Sequence, residues 1–157
     1  MKKTFYIFFV LLLTSCGFSP ILKNVDLSSV KINKIDFEGP SGLTYYLKSN
    51  LNIPIEQNLK NSYSLKLNIN ESSSSVTKDT AGITTEERVS VTINFQIFDK
   101  ENKLIGSESL SDSRVISVTN NVSTDDEVKR IEKENIITNL IQQLTFAIRA
   151  QIISSQQ

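Results

Sequence analysis

This chain has no histidine and no tryptophan, and it has only one cysteine. The lack of histidine excludes Cys/His zinc sites, Ser-His-Asp and Cys-His catalysis, and histidine-based pH switching. A single cysteine cannot form an internal disulfide. The sequence also lacks a glycine-rich phosphate loop and the spacing of a calcium loop. We therefore expect a protein that is not an enzyme and that holds no metal.

The single cysteine, Cys16, marks a lipid attachment site. It follows Lys2, Lys3 and an apolar run of about nine residues, which is far shorter than the ~20 residues that a membrane-spanning helix needs. This is the pattern of a secretory signal. The residues Leu13-Thr14-Ser15-Cys16-Gly17 form a bacterial lipobox. We expect cleavage before Cys16, which would then carry a diacylglycerol and an N-acyl chain and need no other cofactor.

The alternative role for Cys16 is a small buried hydrophobic residue or a free thiol. The signal and the lipobox spacing favour lipidation independently of one another. Three acyl chains would anchor the protein stably. Gly17 stands where aspartate typically holds a lipoprotein at the inner membrane, so the outer membrane is the expected destination, with the domain facing the periplasm.

The charge is close to balanced. The chain has 17 basic and 17 acidic residues, and loss of Lys2 and Lys3 with the signal leaves 15 against 17, a formal charge of about −2. A nucleic-acid partner is therefore not expected, because such proteins carry a strongly basic field.

The chain is long enough for one domain after its signal. We predict a signal peptide at residues 1–15, a lipidated tether at 16–29, a domain at 30–153 and a frayed tail at 154–157. The serine tract at 72–75 has the composition of a linker, but extended character resumes after it. We interpret it as a bulge in a long strand, with a domain boundary as the alternative.

The strands are predicted from alternating apolar residues. A first strand at 30–37 changes parity near Asn33, which indicates a bulge. Two long strands follow, and their apolar residues fall on one face: Tyr63, Leu65, Leu67, Ile69, Ile83, Val89, Val91, Ile93, Phe95 and Ile97. A fourth strand from Lys103 to about Val118 holds no parity, which is typical of an edge or bulged strand.

Two helices are predicted from apolar residues at helical spacing. Ser41 is expected to cap the first. Thr124 and Glu127 have the spacing of a capping box that begins a helix reaching about Ile152. The main stripe of that helix is Ile137, Leu140, Ile141, Leu144, Ile148 and Ile152. The order β-α-β-β-β-α predicts an α+β fold with two helices on one face of a four-stranded mixed or antiparallel sheet.

In element order, this chain resembles the LptE family of lipopolysaccharide-assembly lipoproteins. The likeness rests on Cys16-Gly17-Phe18 with Pro20, on Tyr63-Ser64-Leu65-Lys66-Leu67, on Lys78-Asp79-Thr80-Ala81, and on the capped C-terminal helix. The resemblance implies a domain that plugs the lumen of the outer-membrane barrel LptD and that contacts lipopolysaccharide. The family's basic loop residues are not matched at residues 119–126, which contain no lysine or arginine.

Two sets of residues are candidates for these contacts. Lys78 and Arg88 could converge on the phosphates of a lipopolysaccharide headgroup; the alternative is local pairing with Asp79, Glu86 and Glu87. A second apolar line on the last helix comprises Val128, Ile131, Phe146 and Ile153. We expect this line to touch the barrel wall with Phe146 as its anchor, and the alternative is scattered surface hydrophobic residues.

Two other function classes stay open at this point. The first is a lipid-anchored adapter of another envelope-assembly machine. The second is a lipid-anchored hydrolase, which would need two converging carboxylates with raised pKa values.

Overall fold

The computed structural model describes residues 32–56 and 62–155, so Cys16 lies outside the described residues. The elements are β1 (Ile32–Glu38), α1 (Ser41–Asn50), β2 (Tyr63–Lys78), β3 (Thr84–Phe98), β4 (Leu104–Ser117) and α2 (Val122–Ser154). The strands form one sheet in the order β1-β2-β3-β4. β1 is parallel to β2, and the other neighbours are antiparallel. The predicted α+β fold and its element order are confirmed.

Both helices pack on the same face of the sheet. Alternate residues of a strand point to the same face, so the apolar positions of β2 and β3 meet the apolar stripe of α2. Leu65, Leu67, Val91, Ile93 and Leu144 all belong to one buried core, as predicted. α1 contributes Leu43 and Leu47 to this core. A hydrogen bond of 3.2 Å between the Tyr46 and Thr138 hydroxyls joins the two helices.

The opposite face of the sheet, called here the open face, is polar and has few charges over β2, β3 and β4. Its residues in these strands, up to the level of the core, are Ser64, Lys66, Asn68, Asn70, Ser72, Ser74, Ser90, Thr92, Asn94, Gln96, Ser107, Ser109, Ser111 and Ser113. No described helix covers this face, because both helices lie on the other one.

The two strand irregularities lie close to where the sequence indicates them. The pairing of β1 with β2 shifts between Ile32 and Lys34, which confirms the bulge near Asn33. β2 continues through residues 72–75 in register with β3, and its shifts come just afterwards, on either side of Thr77. The serine tract is therefore part of a long strand and no domain boundary.

The predicted helix caps are wrong at both helix starts. α1 has Pro40 at its N-cap, and the Thr44 N–H donates to the Pro40 carbonyl over 2.9 Å. Ser41 is already the first helical residue and makes no capping bond. α2 begins at Val122, where the side chain of Asn121 accepts from the Thr124 N–H over 3.3 Å. Thr124 and Glu127 form no capping box, because Thr124 already lies inside the helix, and Glu127 pairs with Arg130 at 2.7 Å.

α2 meets the sheet in two different ways along its length. In residues 136–152 the contact is apolar, and Ile136 is buried there in addition to the predicted stripe. In residues 122–135 three ion pairs join the helix to the strands. Lys129 contacts Glu87 at 2.8 Å, Glu132 contacts Arg114 at 3.3 Å, and Lys133 contacts Glu71.

β4 forms one edge of the sheet, as its broken parity indicates. Its first residues lie under the C-terminal end of α2. A Cβ at Gly106 would overlap Oε1 of Gln151, the end of a flexible side chain, so a larger residue here would require Gln151 to move. Nε2 of Gln151 donates to Glu108 over 3.2 Å.

Candidate functional site

One end of the sheet, called here the distal end, is built from the β2–β3 hairpin at 79–83 and the loop at 118–121. The carboxylate of Asp79 closes the hairpin by accepting from the Ala81 and Ile83 N–H groups over 2.9 and 2.8 Å. Gly82 allows the turn with a φ of 82°. The neighbouring loop is fixed to β3, since the Val118 N–H donates to the Thr85 carbonyl over 3.0 Å.

A second carboxylate orders the loop at 118–121. Asp125 is buried, and its Oδ1 accepts from both the N–H and the hydroxyl of Thr119 over 2.8 and 2.9 Å. The bond from the Thr119 N–H is the main reason that the pKa of Asp125 is lowered. The distal loops are therefore held by hydrogen bonds that the carboxylates of two aspartates accept.

The distal end exposes branched aliphatic side chains. Val122 is 76% exposed, Ile83 50%, Val115 48% and Val76 44%. The prediction that Ile83 lies on the buried face of a strand is wrong, because Ile83 lies in the hairpin before β3 begins. Val122 precedes the helix start predicted at Thr124, but its position just after Asn121, a good N-cap residue, is also typical of a helix start.

Lys78 and Arg88 both lie at the distal end on the open face. Lys78 is paired in the sheet with Thr84, and Arg88 with Ser74 and Val115. Since Thr84 and Arg88 are four residues apart on β3, the backbones of Lys78 and Arg88 are about 13 Å apart along the strands. Side chains at this spacing can contact two separate anionic groups, and their convergence on one group stays a prediction.

The local pairing considered for these cations does not occur within the described residues. Asp79 is used by the hairpin turn, Glu86 accepts from the Thr77 hydroxyl, and Glu87 pairs with Lys129. The pairing with Glu87 also raises the pKa of Lys129. Lys78 and Arg88 are both exposed, and neither forms an ion pair with another described residue.

The second apolar line of α2 is unevenly exposed. Phe146 is 51% and Ile131 42% exposed, whereas Val128 and Ile153 are half-buried. Phe146 lines a groove of about 570 Å³ between α2 and β4, together with Leu110, Ala147 and Ala150. The groove also contains glutamine side chains and Glu108. Among the residues of this second apolar line, Phe146 is therefore the one that is both exposed and next to other apolar side chains.

Carboxylates with raised pKa values were the condition for a hydrolase. The described carboxylates whose pKa departs from the ordinary value, Glu38, Asp125 and Glu127, all shift downwards. Lys66, Thr119 and Arg130 respectively donate the hydrogen bonds that cause these shifts. A lowered pKa is the opposite of what a general acid requires.

Neither described helix is both long and apolar enough for a membrane span. In the part of the chain that the structure describes, no three residues of the metal-ligating types cluster.

Comparison with known proteins identifies relatives by sequence profile and by fold. The profile of the LptE family, described as lipopolysaccharide-assembly, matches residues 27–152. No curated protein sequence matches the chain.

Several solved lipoprotein structures share the fold. Rare lipoprotein B from Shewanella oneidensis has a TM-score of 0.60 and 13% identity, and the match covers 80% of this chain and 100% of that one. A minor lipoprotein from Acinetobacter baumannii has a TM-score of 0.53 and 22% identity over 75% of this chain and 93% of that one. Lipoprotein B from Nitrosomonas europaea has a TM-score of 0.56 and 9% identity over 80% and 88% of the respective chains.

Proposed function

This chain belongs to the LptE family of lipopolysaccharide-assembly lipoproteins, and from that premise we propose that it assembles with an LptD-like β-barrel of the outer membrane. In this role the domain occupies the barrel lumen and supports the transport of lipopolysaccharide to the outer leaflet. The observation that carries the proposal is the family match over residues 27–152, which includes all four strands, α1 and most of α2.

Lipidation of Cys16 is part of this proposal. The lipobox supports it, and it would tether the domain at the membrane that holds the barrel. The domain would then face the periplasm and the lumen, without any catalytic role.

Contact with the barrel wall is assigned to the line formed by Val128, Ile131 and Phe146. Exposed aromatic residues beside apolar surface are typical anchors of protein interfaces. Phe146 meets this description because it is half-exposed above the groove that Leu110 and Ala147 line. We therefore place the anchor of the barrel contact at Phe146.

Copurification tests the barrel contact. Phe146→Asp should leave the melting curve of the isolated chain unchanged and reduce recovery of the barrel at least fivefold, because it puts a charge into an apolar contact. Tyr45→Asp is the matched control, since Tyr45 is an aromatic residue that is 74% exposed on α1. Normal barrel recovery with Phe146→Asp would contradict the anchor. Recovery of a different envelope complex by the wild type would support the adapter alternative.

Contact with lipopolysaccharide is assigned to the distal end. Its exposed aliphatic side chains and its two cations, which form no ion pair with a described residue, make an amphiphilic surface. Such a surface complements a ligand that has both acyl chains and phosphates. The backbones of Lys78 and Arg88 lie about 13 Å apart along the strands, and we propose that the ligand presents two anionic groups to their side chains.

The double variant Lys78→Glu/Arg88→Glu tests this assignment. We expect at least a fivefold loss of lipopolysaccharide binding, measured with labelled ligand at low ionic strength, where charge interactions are least screened. Lys100→Glu/Lys103→Glu makes the same charge change at the opposite end of the sheet and should bind normally. Equal losses in the two double variants would show a dependence on net charge alone and would overturn the assignment.

A further inference from the structure

β4 presents a long free edge. It pairs with β3 on one side, and no described strand lies on its other side. The strand has 14 residues without proline. The other edge strand, β1, has seven residues and is already joined to Ile55 by a bridge at Ile32. A free strand edge can accept a further strand through backbone hydrogen bonds.

The backbone of β4 shows which groups point outwards. The Ser113 N–H donates to the carboxylate of the preceding residue, Asp112, over 2.7 Å and so points away from β3. In an antiparallel pair, alternate residues direct both backbone groups to the same side. Ser107, Ser109 and Ser111 therefore direct their N–H and C=O groups to the free edge.

Side chains on the helix-facing side of β4 define what could lie beside this edge. Glu108, Leu110 and Asp112 follow one another at every second residue, opposite Phe95, Ile93 and Val91. Neither acid forms an ion pair with a described residue; Glu108 accepts from Gln151 over 3.2 Å. Leu110 lines the groove of about 570 Å³ with Phe146, Ala147 and Ala150. The side chains along this edge are therefore acidic, apolar and acidic in turn.

We propose that β4 binds an extended polypeptide segment of a partner protein as a fifth strand, and that this segment carries basic, apolar and basic side chains at alternate positions. The backbone groups of Ser107, Ser109 and Ser111 hold the segment. The apolar side chain enters the groove beside Leu110 and Phe146, and the basic ones pair with Glu108 and Asp112. The inference rests on the proposed function in that the segment occupies the groove of Phe146 and so belongs to the protein that contacts Phe146, but the peptide test below can fail without any change in barrel recovery.

Charge complementarity selects this occupant over a second copy of the chain. In the two-fold pairing that sets Leu110 against Leu110 of a copy, Glu108 would lie opposite Asp112 of the copy at both ends. Like charges directly opposite each other destabilise strand pairing. The same two acids discourage indiscriminate pairing at this edge, while they favour a basic partner.

The test uses the full mature chain in detergent and a fluorescent peptide, Thr-Lys-Thr-Leu-Thr-Lys-Thr, in an anisotropy titration. We expect it to bind about tenfold more tightly than the peptide with glutamates in place of its lysines, because two opposite-charge cross-strand pairs are replaced by two like-charge pairs. The variant Glu108→Lys/Asp112→Lys should reverse the preference. If that variant does not fold, Glu108→Gln/Asp112→Asn should abolish the preference.

A second peptide separates strand addition from simple charge attraction. The lysine peptide with N-methyl groups on its threonines, the residues opposite the serines of β4, keeps its charges but cannot complete the ladder, so it should not bind. Equal binding of the methylated peptide, or of the lysine and glutamate peptides, would overturn the proposal. A concentration-dependent dimer of the chain that the lysine peptide dissociates would assign the edge to a second copy and would also overturn it.

Discussion

The two halves of α2 lie on the same sheet but are held to it by different forces. Residues 136–152 bury apolar side chains against the sheet, and Ile137, Leu140 and Leu144 are all 0% exposed. Residues 122–135 are held by ion pairs and by the bonds of Asp125. Burial of an apolar side chain contributes about 1.5–3 kcal/mol, whereas a partly exposed ion pair contributes about 0–1 kcal/mol. The comparison teaches that one continuous helix can have a strongly and a weakly fastened end.

The largest expected effect is in the apolar half. Leu144→Ala should lower the free energy of unfolding by about 2–5 kcal/mol, because it leaves a cavity in a closely packed core. A denaturant melt of the mature chain measures this. A loss below about 1 kcal/mol would show that the two halves are not fastened differently.

An intermediate effect is expected at Asp125, which fixes the loop before α2. Its pKa is lowered in the folded state, so its contribution is present above the unfolded pKa and disappears as the pH falls through the folded value. Asp125→Asn should lower the melting temperature by a few degrees at pH 7.

The pH dependence of the melting temperature shows whether the charge of Asp125 is what stabilises the loop. The wild type and Asp125→Asn should differ less and less as the pH falls below about 4, where the aspartate becomes protonated. A difference in melting temperature that stays constant from pH 7 to pH 2 would show that the charge of Asp125 does not stabilise the loop.

The smallest expected effect is at the ion pairs. Lys129→Met and Lys133→Met retain the aliphatic part of the side chain, and each should cost about 0.5 kcal/mol. Lys100→Met is the control, since Lys100 is exposed and forms no ion pair with a described residue. Hydrogen exchange sharpens the comparison: 1 M NaCl should speed exchange in residues 122–135 and leave 136–152 unchanged. Uniform acceleration along the helix would contradict it.

The part of the fold that follows from periodicity could be predicted from the sequence. Alternation at Leu65, Leu67 and Ile69 fixes which face of β2 is buried, and spacing at Leu140, Leu144 and Ile148 fixes the face of α2. The ion-paired half was missed because only apolar residues were followed. Steps of four residues from Ile137 back to Lys133 and Lys129 continue the same face of the helix, so the signal was present in the sequence.

The features that could not be predicted from the sequence depend on backbone geometry. Pro40 caps α1 without any side-chain bond, so the usual signal of a capping side chain is missing at that position. The backbone spacing of Lys78 and Arg88 is set by the register of β3, which alternation alone does not give, and the convergence of their side chains stays a prediction. The groove at Phe146 requires the position of α2 over β4, which follows from the packing of the whole domain.

The open face has a consequence for how this domain meets other molecules. Lys66 there is neutralised by Glu38 at 3.0 Å, and Lys34 by Asp36 at 2.8 Å. The serine, threonine and amide groups between them add no net charge, so this side of the sheet creates almost no long-range field. At the distal end Arg88 and Lys78 share this side with the carboxylate of Glu86, because Glu86 and Arg88 are alternate residues of β3. With so little net charge, this face would not steer an ion from a distance, and contact with it would depend on short-range hydrogen bonds from its hydroxyl and amide groups.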